Sequence, residues 1–444
     1  MRKTINKLFL IITVISALLL TTGCDLFIKT NKGQVDQKWY MGLTYEDDNG
    51  NDTDYTIGTD GTIAAVALED GYGDEFGIIK GEEAYLNINT IIKNIDKRFY
   101  VDATNNLVMF TDATKTYKTK IGGKTINETE NTDYVISFMD GKNCYVNVKF
   151  VKKYVDFDYK VVKAEGKSPA RIVLKYTSGE KNQMTVKSNI EMRTKADYQN
   201  LIVTTLKKNT KVTVLEESGD WTKVGTDDGF MGYVPAKKLK DKETKKTDFK
   251  SDADTYTHVL MDKKISLGWN AITNLTANGN LETIIEHTKG LNVISPTWYS
   301  LSDNKGNLRS YASATYVEKA HSKGLKVWAL VNDFGTQDKA SKEYTKKVLT
   351  DTTKRENLVD NIMTNIKDYN LDGINIDFEF INKDVINSYL QFLRELSIEC
   401  RKAGKVLSID NYVPSSGSEY YDIAHQSLVA DYIIIMSYDE HYAG

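Results

Sequence analysis

The sequence predicts a multidomain protein: a parallel α/β barrel of the (β/α)8 type at the C-terminal end, a small all-β barrel before it, and an α+β module that occurs twice at the front. Three observations predict this. After residue 256, six apolar strand-like segments alternate with helical stretches. One of those segments, LDGINIDFEF, carries polar side chains at three alternate positions, Asn375, Asp377 and Glu379. Before residue 240 the chain breaks into short alternating strands and one duplicated strand-helix pattern. A chain of 444 residues, 41% of them hydrophobic, has room for about three domains. Its net charge of −3 gives no general attraction to nucleic acid, which sets that class of function aside.

Residues 1–24 read as a targeting segment. MRKTINKLFLIITVISALLLTTGC has a basic start (Arg2, Lys3, Lys7), an apolar run from Leu8 to Leu20 that is short for a membrane span, and small residues before Cys24. Gly23 directly before Cys24 resembles the lipobox of bacterial lipoproteins. The resemblance implies that Cys24 is lipidated, becomes the mature N-terminus and anchors the chain to a membrane. Thr21 stands where that motif usually has leucine, which leaves a plainly cleaved signal and an uncleaved anchor as alternatives. All three place the chain outside the cytoplasm, at the outer face of the cell membrane or in the cell wall. Cys144 and Cys400 fall in different predicted domains and are not expected to pair; Cys400 shares the apolar face of a helix with Phe392, Leu393 and Leu396.

Residues 30–178 contain the duplication. GEEAYLNINTIIKNI from Gly81 and GKNCYVNVKFVKKYV from Gly141 align at a constant offset, Tyr85 with Tyr145, Asn87 with Asn147 and Ile91 with Val151. The module resembles the small domains named after the N-terminal domain of copper amine oxidases, which implies a spacer or wall-binding stalk. Oxidase chemistry is not implied, because all five histidines lie beyond residue 257. Residues 182–240 read as short strands between polar turns, and LKKNTKVTVLEESGDWTKV with GFMGYVPAKKL resembles the bacterial SH3-type domain. That resemblance implies a cell-wall peptide as partner, with Trp221 and Tyr233 either lining a groove or filling the barrel. Residues 241–255 are highly charged and read as a solvated linker.

From residue 256 to 444 the expected strands are ISLGWNAI, LNVISPTWYS, LKVWALVNDF, LDGINIDFEF, VLSIDNYV and DYIIIMSYDEH. Helical stretches such as DVINSYLQFLRELSIECRKAGK lie between them, with Asp384 placed to cap the start and Gly404 to close the end. Along the fourth strand, Ile374, Ile376, Phe378 and Phe380 face the helix layer while Asn375, Asp377 and Glu379 face the other way. In a doubly wound sheet helices bury both faces, and three polar groups in a row are costly there. In a barrel, the inner face near the strand's C-terminal end is the mouth, where active sites are built. The polar row therefore selects the barrel.

DGINIDFE (Asp372 to Glu379) resembles the D-G-x-D-x-D-x-E signature of glycoside hydrolase family 18, the chitinase class, and MSYD (Met436 to Asp439) resembles that family's Met-x-Tyr-Asp signature on strand six. SPTWYSL, VWALVNDF and MSYDEHYAG are closer to the spore-cortex-lytic glucosaminidase branch. The resemblance implies a retaining, substrate-assisted mechanism in which the sugar's own N-acetyl carbonyl attacks the anomeric carbon. Under it, Glu379 is the acid that protonates the leaving oxygen and then activates water. Asp377 holds the acetamido N–H and stabilises the oxazolinium intermediate, and Tyr438 holds the acetamido oxygen. The charge of Asp377, on the same face, keeps the proton on Glu379 until it is needed. Asn375 stands where the general signature has an aspartate able to share a proton with the next one. An amide can only hydrogen-bond, so Asp377 is expected to be firmly ionised. Asp372 has either a structural or a catalytic role.

Trp298, after Pro296 at a strand end, is expected against the substrate, whereas Trp328 lies mid-strand and is expected in the core. Asn332, Asp333 and Asp439 are candidate subsite contacts, and Met436 is expected beneath the sugar. No cofactor is expected, and no metal, since no histidine and carboxylate cluster has ligand spacing. The expected function is an extracellular hydrolase of β-linked N-acetylglucosamine glycans, a polysaccharide substrate of the peptidoglycan type before chitin. A complete barrel has eight strand-helix units, and the sequence ends at Gly444 just after the sixth. The family's strands seven and eight close the barrel and supply a tryptophan floor, and an open barrel exposes two edge strands. The chain is therefore expected to be a truncated product or fragment, or to be completed by a partner. The alternative function is a wall-binding surface lipoprotein whose truncated barrel no longer turns over.

Overall fold

The computed structural model describes residues 30–250, 256–334 and 339–437, and within these not the side chains of 339–341. The expected targeting segment with Cys24, and the site candidates Tyr438 and Asp439, lie outside the described residues. The chain divides into two compact units, Met1–Thr90 with Asn147–Lys250 and Ile91–Val146 with Ser251–Gly444.

In the first unit, Glu83–Asn87, Gly77–Lys80, Thr62–Ala67, Ala170–Lys175 and Asp158–Val162 pair in that order. Both copies of the repeated segment turn from strand to helix by one device. Asn87 and Asn147 are buried, and each side-chain oxygen accepts the backbone N–H two residues on (Asn89 and Lys149, 2.9 Å each), opening the helices Ile88–Asn94 and Val148–Tyr154. The expected small barrel is built from Ile190–Arg193, Ile202–Leu206, Lys211–Ser218, Trp221–Gly225 and Met231–Pro235, with Met192, Val203, Val212, Val224 and Val234 buried inside. Trp221 is half-buried, edge-on to Tyr198 with centroids 4.8 Å apart, and Tyr233 is half-buried too. One expectation is corrected here. The charged stretch read as linker is in part a strand, Leu239–Thr247, running antiparallel to Gly179–Val186. Its backbone is satisfied in the ladder while its lysine and glutamate side chains stay in water, so charge alone did not exclude a strand.

In the second unit, β1 (Leu267–Asn270), β2 (Val293–Pro296), β3 (Lys326–Asn332), β4 (Gly373–Asp377), β5 (Val406–Tyr412) and β6 (Tyr432–Met436) form a parallel sheet in chain order. A hairpin, Tyr299–Leu301 with Leu308–Ser310, adds to β3. The helices are α1 (Leu281–His287), α2 (Ala314–Ser322), α3 (Lys339–Leu349), α4 (Thr352–Asp368), α5 (Ile386–Lys402) and α6 (Ile423–Val429). Six expected strands are thus six observed strands, an arrangement that fits part of a barrel.

Alternation sorts the side chains. Val327, Ala329 and Val331 of β3, Ile374 and Ile376 of β4, and Leu407 and Ile409 of β5 pack with helix residues such as Leu358, Ile362, Phe392 and Leu396. The opposite face is plugged at its base by Val293, Trp328 and Val406, packed by Val259, Met261, Leu267 and Tyr432. Trp328 stacks on Tyr432 there, which places it in the core as expected. Gly373 starts β4 because nothing larger fits: a Cβ would lie 2.6 Å from the Val406 carbonyl oxygen and 3.0 Å from the Trp328 ring. Asp372, just before it, accepts from the Val327 N–H (2.9 Å) and contacts Lys326 and His321 (2.8 Å each), so its role is structural, at the strand entry.

Helix ends follow local chemistry. Asp351 caps α4 by accepting the Thr353 and Lys354 N–H groups, and Gly404, at φ 63°, closes α5 as expected. Asp384 does not cap α5. Its N–H is taken by the Asn382 side chain in a turn, and the helix begins only at Ile386.

Residues 91–146 share this unit, and the strands Phe99–Asp102 and Leu107–Thr111 pack on α4 and α5. The Tyr100 hydroxyl meets Ser388 Oγ (2.8 Å), Gln391 donates to Thr111 (2.8 Å) and Asp102 accepts the Thr352 N–H (2.6 Å). Arg355, fully buried beneath the Tyr100 ring, forks onto both Glu395 oxygens (2.8 and 3.0 Å) and donates to the Leu349 carbonyl (2.7 Å).

Candidate active site

The inner face of β4 and β5 above the apolar plug is polar. Asn375, fully buried, pairs in register with Ser408. Ser408 donates to the Asn375 side-chain oxygen (2.6 Å), which turns the amide nitrogen toward Asp410 Oδ2 (2.5 Å). One step further out come Asp377 on β4 and Asp410 on β5, both buried. Beyond them Glu379 is only half-buried, and the Tyr412 hydroxyl donates to its Oε2 (2.5 Å). Burial, with Glu379 beside it, keeps the Tyr412 hydroxyl protonated far above its ordinary range, so it remains a donor.

Glu379 is held from behind. Asp333, fully buried at the end of β3, accepts the backbone N–H of Glu379 (2.9 Å) with one oxygen, and the N–H of Phe380 (3.1 Å) and the Thr345 hydroxyl (3.0 Å) with the other. The Tyr421 hydroxyl donates to the Glu379 carbonyl (3.3 Å). Burial pushes Asp333 up to about 6 against those hydrogen bonds. It pushes Asp377 up to about 8, the charges of Asp410, Glu379 and Asp333 adding to it, and Asp410 up to about 7, opposed by hydrogen bonds from Asn375 and Trp269.

The structure brings Asn375, Asp377 and Glu379 onto one face, as the alternation predicts, and overturns other expectations. Asp377 is not firmly ionised: the amide at 375 removes one carboxylate from β4, but Asp410 of the next strand returns one. Asp333 is not a subsite contact, since it is fully buried and its oxygens are taken by two backbone N–H groups and the Thr345 hydroxyl. Trp298 does not face a substrate. It is fully buried, edge-on to Tyr316 (5.1 Å), with its indole N–H donated to Asn278 (2.8 Å), because the hairpin that follows turns it into the helix-facing core. Asn332 is buried in register with Asp377, its Oδ1 without a hydrogen bond, and Met436 is buried in register with Tyr412. Sequence reasoning missed Asp410, Tyr412 and Trp269. The first two carried the same signal as β4, since Ser408, Asp410 and Tyr412 alternate along VLSIDNYV. Trp269, well exposed on β1, reaches Asp410 of β5 and shows that the sheet curls around its polar face.

One accessible carboxylic acid amid buried carboxylates, at the C-terminal end of curled parallel strands, suits acid–base cleavage of a glycoside. Comparison with known proteins agrees with this class. Residues 273–443 match the model of glycosyl hydrolases family 18, and residues 188–240 that of the bacterial SH3 domain. YdhD of Bacillus subtilis (strain 168), which carries the name of a sporulation-specific glycosylase, is 34% identical over 110 residues, 23% of this chain and 26% of its own length. Its crystal structure gives a TM-score of 0.32 at 27% identity, covering 34% of this chain and 52% of that one. YvbX, an uncharacterized glycosylase of the same organism, is 26% identical over 165 residues, 34% of this chain and 46% of its own length. The spore cortex-lytic enzyme SleL of Bacillus megaterium gives a TM-score of 0.33 at 18% identity, covering 40% of this chain and 43% of that one. The chain thus spans less than half the length of the two curated relatives it matches. The similarity is therefore to a glycosyl hydrolase domain over residues 273–443 and to a bacterial SH3 domain over residues 188–240.

Proposed function

We propose that the barrel domain hydrolyses β-linked N-acetylglucosamine glycans by the retaining, substrate-assisted route, with peptidoglycan as substrate before chitin. The observation that carries this reading is that, of Asp333, Asp377, Glu379 and Asp410, Glu379 alone is partly exposed. A mouth with one accessible acid suits a reaction in which the substrate supplies its own nucleophile. Glu379, steadied by Tyr412 and by Asp333 behind its backbone, protonates the leaving oxygen and then activates water. Asp377 accepts the acetamido N–H, and the Tyr438 hydroxyl donates to the acetamido oxygen. Trp269 offers a sugar-stacking face at the mouth. The SH3 domain holds a cell-wall peptide, and lipid on Cys24 tethers the chain outside the cytoplasm.

The test is release of reducing ends from purified peptidoglycan and from chitin oligomers by residues 25 to 444, beside the Glu379→Gln variant. Release by the first alone supports the reading. Equal release by both contradicts the role of Glu379, and wall binding with no release from a folded protein contradicts hydrolysis.

A further inference from the structure

We propose that Asp410 is the proton partner of Asp377, the two carboxylates on adjacent strands holding one proton between them. For its catalytic consequence this rests on the glycosidase reading above; for its chemistry it rests on the geometry alone. Asn375 pairs with Ser408 and Ile376 with Ile409, so the register carries Asp377 beside Asp410 on the same inner face, with the strands about 4.8 Å apart. The Asn375 amide is locked by Ser408 so that its N–H occupies Asp410 Oδ2. That leaves Oδ1 of Asp410 without a hydrogen-bond partner, and Oδ1 of Asp377 is likewise without one. Two orphaned oxygens on neighbouring buried carboxylates are costly as anions and are satisfied together by one shared proton. Among the described residues the charged groups acting on the pair are Glu379, just past the end of β4, and Asp333, just past the end of β3, both acidic, so no cation does the proton's work. Of the other polar neighbours, Asn375 and Trp269 are donors to Asp410, Asn332 lies in register with Asp377, and Tyr389, Tyr412 and Tyr421 keep their hydroxyl protons because burial and the nearby carboxylates raise their pKa.

The pair gives Asp377 two states, neutral and anionic, with no change in the total charge of the pair. Without sugar the proton lies on Asp377. When an acetamido N–H docks there, the Asp377 O–H bond breaks as an Asp410 O–H bond forms, and Asp377 faces the substrate as an anion. Asp410 acts through Asp377 and is therefore a positioning residue. The β5 aspartate supplies from the neighbouring strand the second carboxylate that Asn375 cannot.

The test is 13C NMR of aspartate side-chain carboxyls in the full chain from pH 4 to 9, with Asp410→Asn, Asp410→Glu and Asp377→Asn variants. The expected result is that Asp377 titrates in two coupled steps in the unsubstituted protein and in Asp410→Glu. In Asp410→Asn it titrates in one step, with the midpoint at least one pH unit lower. Asp377→Asn should simplify the Asp410 titration reciprocally, which keeps the test decisive if one variant folds poorly. A merely structural Asp410 lowers the folded fraction and leaves the Asp377 steps unchanged, and that outcome overturns the proposal. Absence of hydrolysis with the two-step titration intact sinks the glycosidase reading and leaves the proton pair standing.

Discussion

Replacing Asp333 by asparagine tests how Glu379 is placed. The carboxylate accepts the Glu379 N–H with one oxygen, and the Phe380 N–H and Thr345 hydroxyl with the other, in a fully buried position. Asparagine keeps one acceptor oxygen and turns an NH2 group toward a donor, leaving one buried N–H unpaired at a cost of ~2 kcal/mol. For a unit of this size that lowers Tm by about 4–8 °C. The strand end carrying Glu379 loses its tether, and a displacement of ~1 Å at a reacting group costs about 100-fold in rate. Thermal unfolding followed by circular dichroism and kcat on an N-acetylglucosamine oligomer read the two effects. Because burial holds Asp333 at about 6, above its ordinary 3.8, the folded native chain takes up a proton as pH falls through that value and gains stability that the variant cannot gain, so the gap between native and variant should widen from pH 7.5 to pH 5. Equal Tm values at pH 7.5, or a gap that does not change with pH, would refute this account of Asp333.

Gly373→Ala should destabilise the barrel domain by ~3 kcal/mol, since its methyl meets the Val406 backbone; native-like denaturant unfolding would show that the sheet yields there. Arg355→Met strands the Glu395 carboxylate and should cost ~3–5 kcal/mol, most of it recovered in Arg355→Met with Glu395→Leu, as chemical unfolding of the double variant would report. Asp410 sits at about 7 in the folded chain, above its ordinary 3.8, so the folded state binds the extra proton and loses stability as pH rises through that window. Asp410→Asn removes that loss, so its stability relative to the native chain should rise by roughly 3 kcal/mol from pH 5 to pH 7 and level off above it; a flat difference would contradict the assignment.

The strands and the polar row of β4 were legible because a period of two survives in any half-buried strand, and Gly404 announced its helix end. What the sequence hid depends on what packs across space. Trp298 follows a proline at a strand end, as a mouth residue would, but the hairpin at Tyr299–Leu301 decides that it turns inward. The ionisation of Asp377 depends on Asp410, 33 residues further along the chain and adjacent only through strand pairing. The lysines and glutamates of Leu239–Thr247 reported where side chains point and were silent about the backbone ladder. The repeat at Gly81 and Gly141 was visible by its offset, yet nothing in it told that Phe99–Asp102 and Leu107–Thr111 pack on α4 and α5.

The most direct measurement of the central claim is hydrolysis of peptidoglycan and chitin oligomers by the lipid-free chain, with product configuration read by proton NMR and Glu379→Gln as the control. The account predicts products that keep the β configuration and a rate that falls at least 1000-fold in the variant. Inverted products, or a variant as fast as the native chain, would contradict it.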